Sequence, residues 1–345
     1  MNFNKFSTLV ASVTMATAIG LSGVANAADD VVKLRWASFV SPKSTNNAVS
    51  VPNFAKAIEK ASEGTLKIEL FAGGTLGKSP VQQLTMVENG VSDIAEVVVA
   101  YSPGRFPELS MFELPFLTDN NVNAGMAAWE LYEKKVLSDF DELMLVGIIV
   151  SGPYGISANK PITSVADLKG LRLRAAGPIQ NDMVTALGAV PVGNISAPSI
   201  AENISKGLID GTLMAPGNLY NFRITDAATH HNFDLKLGSV AVIFPMRRDT
   251  YKKLPPKAKA AFDKFGGKWM TRELGKGLDV QEANAIAKMK SESDRHTIYK
   301  WSEEQIAEAK AKLAPVVEKY NVKNANGVNV FQEVQGAFET VKSGN

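Results

Sequence analysis

The sequence predicts an α/β protein of two domains that meet like the halves of a clam, joined by hinge crossings and a long linking helix. Three observations predict it. Apolar runs at 33–38, 67–71 and 94–100 alternate with helix-patterned segments, the order expected of parallel strands with crossover helices. A turn-rich SGPYG stretch at 151–155 then precedes a second set of β/α units. Finally, an apolar run at 240–244 follows that second set and can return to the first domain.

The elements follow from local pattern. In 33–38, Leu34 and Trp36 alternate with polar neighbours, which reads as a strand. Residues 51–62 place Phe54, Ala57, Ile58 and Ala61 on one helical face, and Gly64 follows the end. Residues 67–71 form a second strand. Gly73 and Gly74 turn the chain into a helix over 80–89, ended by Gly90. The valine-rich run 94–100 is a buried strand. A helix over 123–137 and a strand over 143–150 lead to the first crossing. Beyond it come strands at 155–158, 171–175, 190–192 and 211–214, with helices at 179–187 and 198–206. Residues 257–292 form a long helical stretch, softened by Gly266, Gly267 and Gly275. An amphipathic helix over 302–319 opens on SEEQ, a capping box. The expected domains are 28–151 with about 239–279, and 152–238 with about 280–345.

The N-terminus reads as an address. Lys5 precedes an apolar stretch from about residue 9 to 21, and Ala25-Asn26-Ala27 supplies a cleavage site, the pattern of a secretory signal peptide. The apolar stretch is too short and too interrupted for a membrane span of ~20 residues. The expected mature chain starts near Ala28 and is exported to the periplasm. Removing 1–27 takes one Lys and no acid, leaving 36 basic and 35 acidic residues. That balance argues against a nucleic-acid partner.

Cysteine is absent, which excludes disulfides, thiolate catalysis and thiolate metal sites. His230 and His231 are adjacent and diverge on any regular element, so they cannot form the i, i+4 pair of a zinc helix. Neither GxSxG nor GxGxxG occurs. The GGTLGKS loop at 73–79 resembles a phosphate loop, but Ala72 stands where its first glycine is required. Neither a metal nor a cofactor is expected, nor an enzyme.

Arg174 is the strongest candidate site residue. It ends the DLKGLRLR run at 167–174, at a strand's carboxyl end and just before a helix N-terminus. Free backbone N–H groups and the helix dipole favour anions there. A guanidinium can grip a carboxylate with two parallel hydrogen bonds. A surface or structural arginine is the alternative reading.

Several runs, in order and across nearly all of the chain beyond residue 28, resemble the solute-binding subunits of TRAP transporters, the DctP-type family. They are FAGGTLG at 71–77, VSDIA at 91–95, FPE at 106–108, ELPFL at 113–117, DLKGLRLR at 167–174, LGAVP at 187–191 and KGLIDG at 206–211. The resemblance implies the periplasmic-binding-protein clam and capture of a small organic acid without catalysis. It also implies delivery by a monomeric receptor to two membrane subunits, a small DctQ-type and a large DctM-type one. It carries the family's carboxylate-binding arginine onto Arg174.

The departures from the family pattern are informative. Family members often continue the aspartate-glycine pair with Gln-Glu-Asn-Pro, whose Asn touches ligand; here TLMAP follows, and Met214 stands in that place. A further family arginine about 20 residues before the L-K-x-R run is replaced by GPYG at 152–155, with Tyr154 nearest. These exchanges imply a monocarboxylate with an apolar or aromatic body, with a dicarboxylate as the alternative. Tyr101, after the strand at 94–100, matches a pocket-lining position and equally fits a core tyrosine under a turn. Phe39, after the first strand, faces the cleft or packs in the core. Arg105 could clamp a second carboxylate or hold the Pro103-Gly104 turn. A periplasmic enzyme acting on organic acids, or a ligand sensor for a membrane kinase, are the rival functions.

Overall fold

The computed structural model describes residues 31–324 and 326–344, so the signal-peptide reading lies outside the described residues. Strands β1 (Val32–Ala37), β2 (Leu66–Phe71), β3 (Ile94–Ala95), β4 (Val97–Val98) and β5 (Leu143–Ser151) belong to a first sheet. A second sheet holds β6 (Gly155–Ala158), β7 (Arg172–Arg174), β8 (Val190–Val192), β9 (Gly211–Met214) and β10 (His230–Asn232). The chain then returns to the first sheet as β11 (Val240–Arg247) and finishes the second with β12 (Thr297–Tyr299).

The first sheet runs β2-β1-β3-β11-β4, with β5 also paired to β11; the second runs β12-β10-β6-β9-β7-β8. Both are mixed rather than purely parallel. β1 is parallel to β2 and β3, and β7 is parallel to β8 and β9. The returning strand β11 is antiparallel to β3, β4 and β5, and β6 is antiparallel to β9 and β10.

The helices are α1 (Val51–Ala61), α2 (Gln83–Glu88), α3 (Asn121–Glu133), α4 (Pro178–Ala186), α5 (Ile200–Ser205), α6 (Pro216–Asn221), α7 (Arg248–Lys252), α8 (Pro256–Phe265), α9 (Lys268–Ser291), α10 (Glu303–Tyr320) and α11 (Val330–Ser343). Trp36 shows why the first strand forms where it does. Its indole is fully buried, edge-on to Phe54 of α1 at 5.8 Å and tilted against Phe244 of β11 at 5.1 Å. Burying such a ring fixes the register, because a one-residue slip would turn it to solvent.

Three expectations need correction. The strand at 94–100 is broken at Glu96, whose carboxyl turns inward to accept the Ser38 hydroxyl; residues 99–101 continue as a 3-10 turn. The stretch 257–292 is two helices, because Gly267 adopts φ +62° and donates its N–H to Val146 rather than to a helical partner. From sequence, the tail to residue 345 reads as part of the second domain. Instead, α11 buries Val330, Phe331, Val334, Ala337 and Phe338, and packs on α3 beside the first sheet, with Phe338 against Phe112 at 5.8 Å.

Two antiparallel segments cross between the sheets side by side. Tyr154 donates its N–H to Gly238 at 2.8 Å, and Leu237 returns one to Tyr154 at 2.9 Å. Helix α9 is a third link. Its Asp279 accepts from the N–H groups of Asn121 and Val122 at the start of α3, while Glu282 accepts from Gly217 in the first turn of α6. One helix thus holds the N-terminus of a helix beside each sheet.

Two carboxyls packed at these links, Glu113 buried and Glu282 partly so, set a pH response. Glu113 lies against Gly177 at the start of α4, and burial pushes it up to about 8, against the opposing pull of the Gln180 N–H and the Arg174 charge. Burial also pushes Glu282 up to about 8, opposed by the Gly217 N–H and reinforced by Asp279. Between pH 6.5 and 8.5 an unfolded Glu is already ionised, while the folded ones hold protons at the lower end. The native state binds more protons, so stability falls as pH rises through this window. The buried histidines, held neutral, act only below it. The unliganded protein is expected to melt several degrees lower at pH 8.5 than at 6.5, for a loss of about 1 kcal/mol per carboxyl. Glu113→Gln should make the profile shallower while Glu282 still contributes; a profile that rises or is flat in the wild type contradicts this assignment.

Candidate functional site

The carboxyl ends of β3, β4, β7 and β9 converge on one cavity between the two sheets. Its volume, counting the solvent at its mouth, is about 630 Å³. That is room for one small organic acid. Its wall includes Phe39, Tyr101, Tyr154, Arg174 and Met214, five of the six residues singled out from sequence.

Arg174 sits at the end of β7 with 1% of its surface exposed. Its Nε donates to the Ile195 carbonyl at 2.8 Å, and Nη2 donates to the Tyr101 hydroxyl oxygen at 2.9 Å. Among the described residues no carboxylate lies within 4 Å of this guanidinium. Glu113 is near enough to feel its charge, but burial keeps that carboxyl protonated near neutral pH. A buried cation without an anionic partner is costly, by several kcal/mol. By contrast, Arg172 two residues earlier is paired with Asp210 at 3.0 Å and stays half-exposed. Hydrogen bonds from Arg172 hold the Asp210 carboxyl well below its usual range.

Tyr101 ends the 3-10 turn after β4, on the first-sheet side. Its hydroxyl oxygen accepts from Arg174 and from the Ala197 N–H at 2.8 Å, both on the second-sheet side. With its oxygen receiving two donors, its own proton is left to be donated. Tyr154 is buried in the first crossing, and burial pushes its hydroxyl above the usual phenol range, so it stays a neutral donor.

The rest of the wall mixes apolar and polar side chains. Val98, Ile149, Val240, Val242 and Leu278 line it with Met214. Phe39 stacks on Phe222 across the cavity, with ring centroids 6.4 Å apart and planes 11° from parallel. Arg105 is elsewhere. It points outward and pairs with Glu88 at 3.0 Å and Asp139 at 3.4 Å, because the turn at 102–105 leads its side chain toward those acids.

Sequence reasoning missed Glu96, Asn46, Asn218, Phe222 and Gln281, all on the wall. Glu96 had a signal, as the one charge inside the apolar run 94–100. Gln281 lies in the helical stretch read at 257–292, where nothing marked it for the site; Asn218 and Phe222 come from α6 and its end, which no pattern announced.

The model of the DctP family, bacterial extracellular solute-binding protein family 7, matches residues 37–324. The chain belongs to this family. Two solved members are similar over nearly their whole length. A TRAP solute-binding protein from Rhodoferax ferrireducens, in complex with copurified benzoate, is 27% identical with a TM-score of 0.83, covering 91% of this chain and 100% of that one. A marine-metagenome TRAP solute-binding protein specific for aromatic acids, co-crystallized with 3-hydroxybenzoate, is also 27% identical with a TM-score of 0.83, covering 91% and 99%. A solute-binding protein of Albidiferax ferrireducens is 26% identical over 183 residues, 52% of this chain; the match spans 53% of that protein's length. The two-sheet α/β architecture is therefore that of TRAP solute-binding proteins.

Proposed function

We propose that this receptor captures a small monocarboxylate with an apolar or aromatic body and delivers it to the two TRAP membrane subunits. The observation that carries the reading is Arg174, a buried guanidinium without a carboxylate partner among the described residues, on the wall of a cavity whose other lining is part apolar and part neutral-polar apart from Glu96. The ligand carboxylate supplies the missing charge, and each charge-assisted hydrogen bond contributes roughly 1.5–3 kcal/mol. The Tyr101 and Tyr154 hydroxyls complete the carboxylate's shell. Met214, Phe39 and Phe222 pack on the body of the ligand. Arg105, which would have served a second carboxylate, is committed to Glu88 and Asp139 outside the cavity. This favours a monocarboxylate over a dicarboxylate. The benzoate and 3-hydroxybenzoate of the two solved relatives fit the same description.

The crossings at 151–155 and 236–240 and helix α9 serve as the hinge, with 28–151 and 239–279 on one side and 152–238 on the other. Closure brings Tyr101 onto Arg174 and Ala197 and buries the ligand.

A thermal-shift panel of ligand-stripped protein tests the reading. Benzoate and phenylacetate in excess should raise the melting temperature by about 5–10 °C, since 100-fold excess over Kd contributes about 2.7 kcal/mol. A shift with succinate alone would exclude the monocarboxylate.

A further inference from the structure

Glu96 is a buried carboxyl on the cavity wall that the Arg174 contact leaves unused. It is 6% exposed and has no cation within 4 Å among the described residues. One of its oxygens, Oε2, accepts the Ser38 hydroxyl. Ser38 is itself fixed, because its oxygen accepts from Asn47 Nδ2 at 3.0 Å and from the Val40 N–H at 3.2 Å. This leaves Ser38 with its proton directed at Glu96. The other carboxyl oxygen, Oε1, makes no hydrogen bond among the described residues. Asn46, beside Asn47 and also on the wall, is 8% exposed, and its side-chain oxygen has no partner either.

Glu96 therefore brings a carboxyl oxygen without a donor to the wall on the first-sheet side, and Asn46 beside it holds a buried oxygen that is also unmatched. The Arg174 network with Ile195 and Ala197 is anchored on the second-sheet side, and among the described residues no hydrogen bond joins it to Glu96 or Asn46. Apolar residues, Val98 and Val242 among them, make up much of the remaining wall. Leaving buried acceptors unmatched costs free energy, and a ligand that supplies the donor recovers it.

We propose that Glu96 and Asn46 form a second subsite that receives a ligand hydroxyl, so that the preferred ligands are hydroxy acids rather than the plain acids. This rests on the carboxylate reading of Arg174 and deepens it. A hydroxyl suits Glu96 in either protonation state. The ionised carboxylate accepts from it through Oε1; in the protonated form, with the Ser38 proton on Oε2, the acid proton sits on Oε1 and is donated to the hydroxyl oxygen. Burial pushes Glu96 up to about 7, opposed by the Ser38 hydroxyl, so both states are populated near neutral pH. A site that demands specific hydrogen bonds discriminates strongly against the analogue that lacks the group, because its buried polar atoms are then left unpaired.

The test is calorimetric titration of the ligand-stripped protein at pH 7.5. The ligands are benzoate, 3- and 4-hydroxybenzoate, phenylacetate, 3- and 4-hydroxyphenylacetate, and 4-(aminomethyl)benzoate. At least one hydroxy acid should bind about 10-fold or more tightly than its parent acid. Glu96→Leu should cut that ratio below about 3, and Glu96→Gln, which keeps an acceptor oxygen, should retain more of it. Three results overturn the proposal while leaving the Arg174 reading standing: no hydroxy acid preferred by the wild type, a ratio that Glu96→Leu leaves intact, or a preference for the charged amine. The wild-type ratio is decisive even if a variant fails to fold. Failure of every acid to bind would overturn the Arg174 reading, and this proposal with it.

Discussion

Arg174→Ala is expected to abolish saturable binding of carboxylic acids, a loss of at least about 100-fold, read by calorimetry. Two charge-assisted hydrogen bonds at roughly 1.5–3 kcal/mol each set that scale. The same substitution should move the melting temperature of the unliganded protein by no more than about 2 °C. Among the described residues the guanidinium has no carboxylate partner, and losing its bonds to Ile195 and Tyr101 is offset by no longer burying a charge. Arg174→Lys keeps the charge but cannot present two parallel donors while also holding Tyr101, so it should bind more than about 10-fold weaker than wild type. Affinity unaltered in Arg174→Ala would show that the carboxylate, if there is one, is held elsewhere.

Gly238→Ala is expected to be the most damaging small substitution at the hinge. Gly238 has φ +76°, and a Cβ there would stand 1.9 Å from the Glu113 carbonyl oxygen and 2.5 Å from its carbon. Backbone cannot yield as the end of a flexible side chain can. The second crossing must therefore move, and with it Tyr154, whose N–H is bonded to the Gly238 carbonyl. The expected loss is on the order of 3–5 kcal/mol, or about 6–15 °C in melting temperature, with weakened acid binding in whatever folds. Gly207→Ala is the control. Gly207 has φ +69° with nothing within 4 Å of its would-be Cβ, so it should show only the conformational cost of about 1 kcal/mol. Equal melting of the two variants would mean that the overlap at Gly238 is relieved without cost.

Much of the fold was legible because its strands are marked by strong local patterns. Leu34 and Trp36 alternate with polar neighbours, and the continuous apolar run of β5 is bounded by turn residues. What escaped was decided by tertiary contact. The three-residue strands β10 and β12 exist through pairing with each other and with β6, which no short window reveals. Helix α11 carries a clear apolar stripe, but a stripe does not say which sheet it will cover.

The same division holds at the site. Arg174 was legible from its position between a strand end and a helix start. Met214 and Tyr154 were legible only as departures from a family pattern. Glu96 was visible as a charge in an apolar run, but its meaning depends on Ser38, 58 residues away. Arg105 was ambiguous in sequence because an exposed pair with Glu88 and Asp139 needs the fold to bring those acids together.

The central claim is that a buried arginine in this cavity recognises a carboxylate. Titrating the ligand-stripped wild-type protein with benzoate and with benzamide, which has the same ring and a neutral head, tests it most directly. The account predicts that the acid binds at least about 100-fold more tightly than the amide, because only the acid supplies the charge that Arg174 lacks. Equal affinity for acid and amide, or binding of the amide alone, would contradict it.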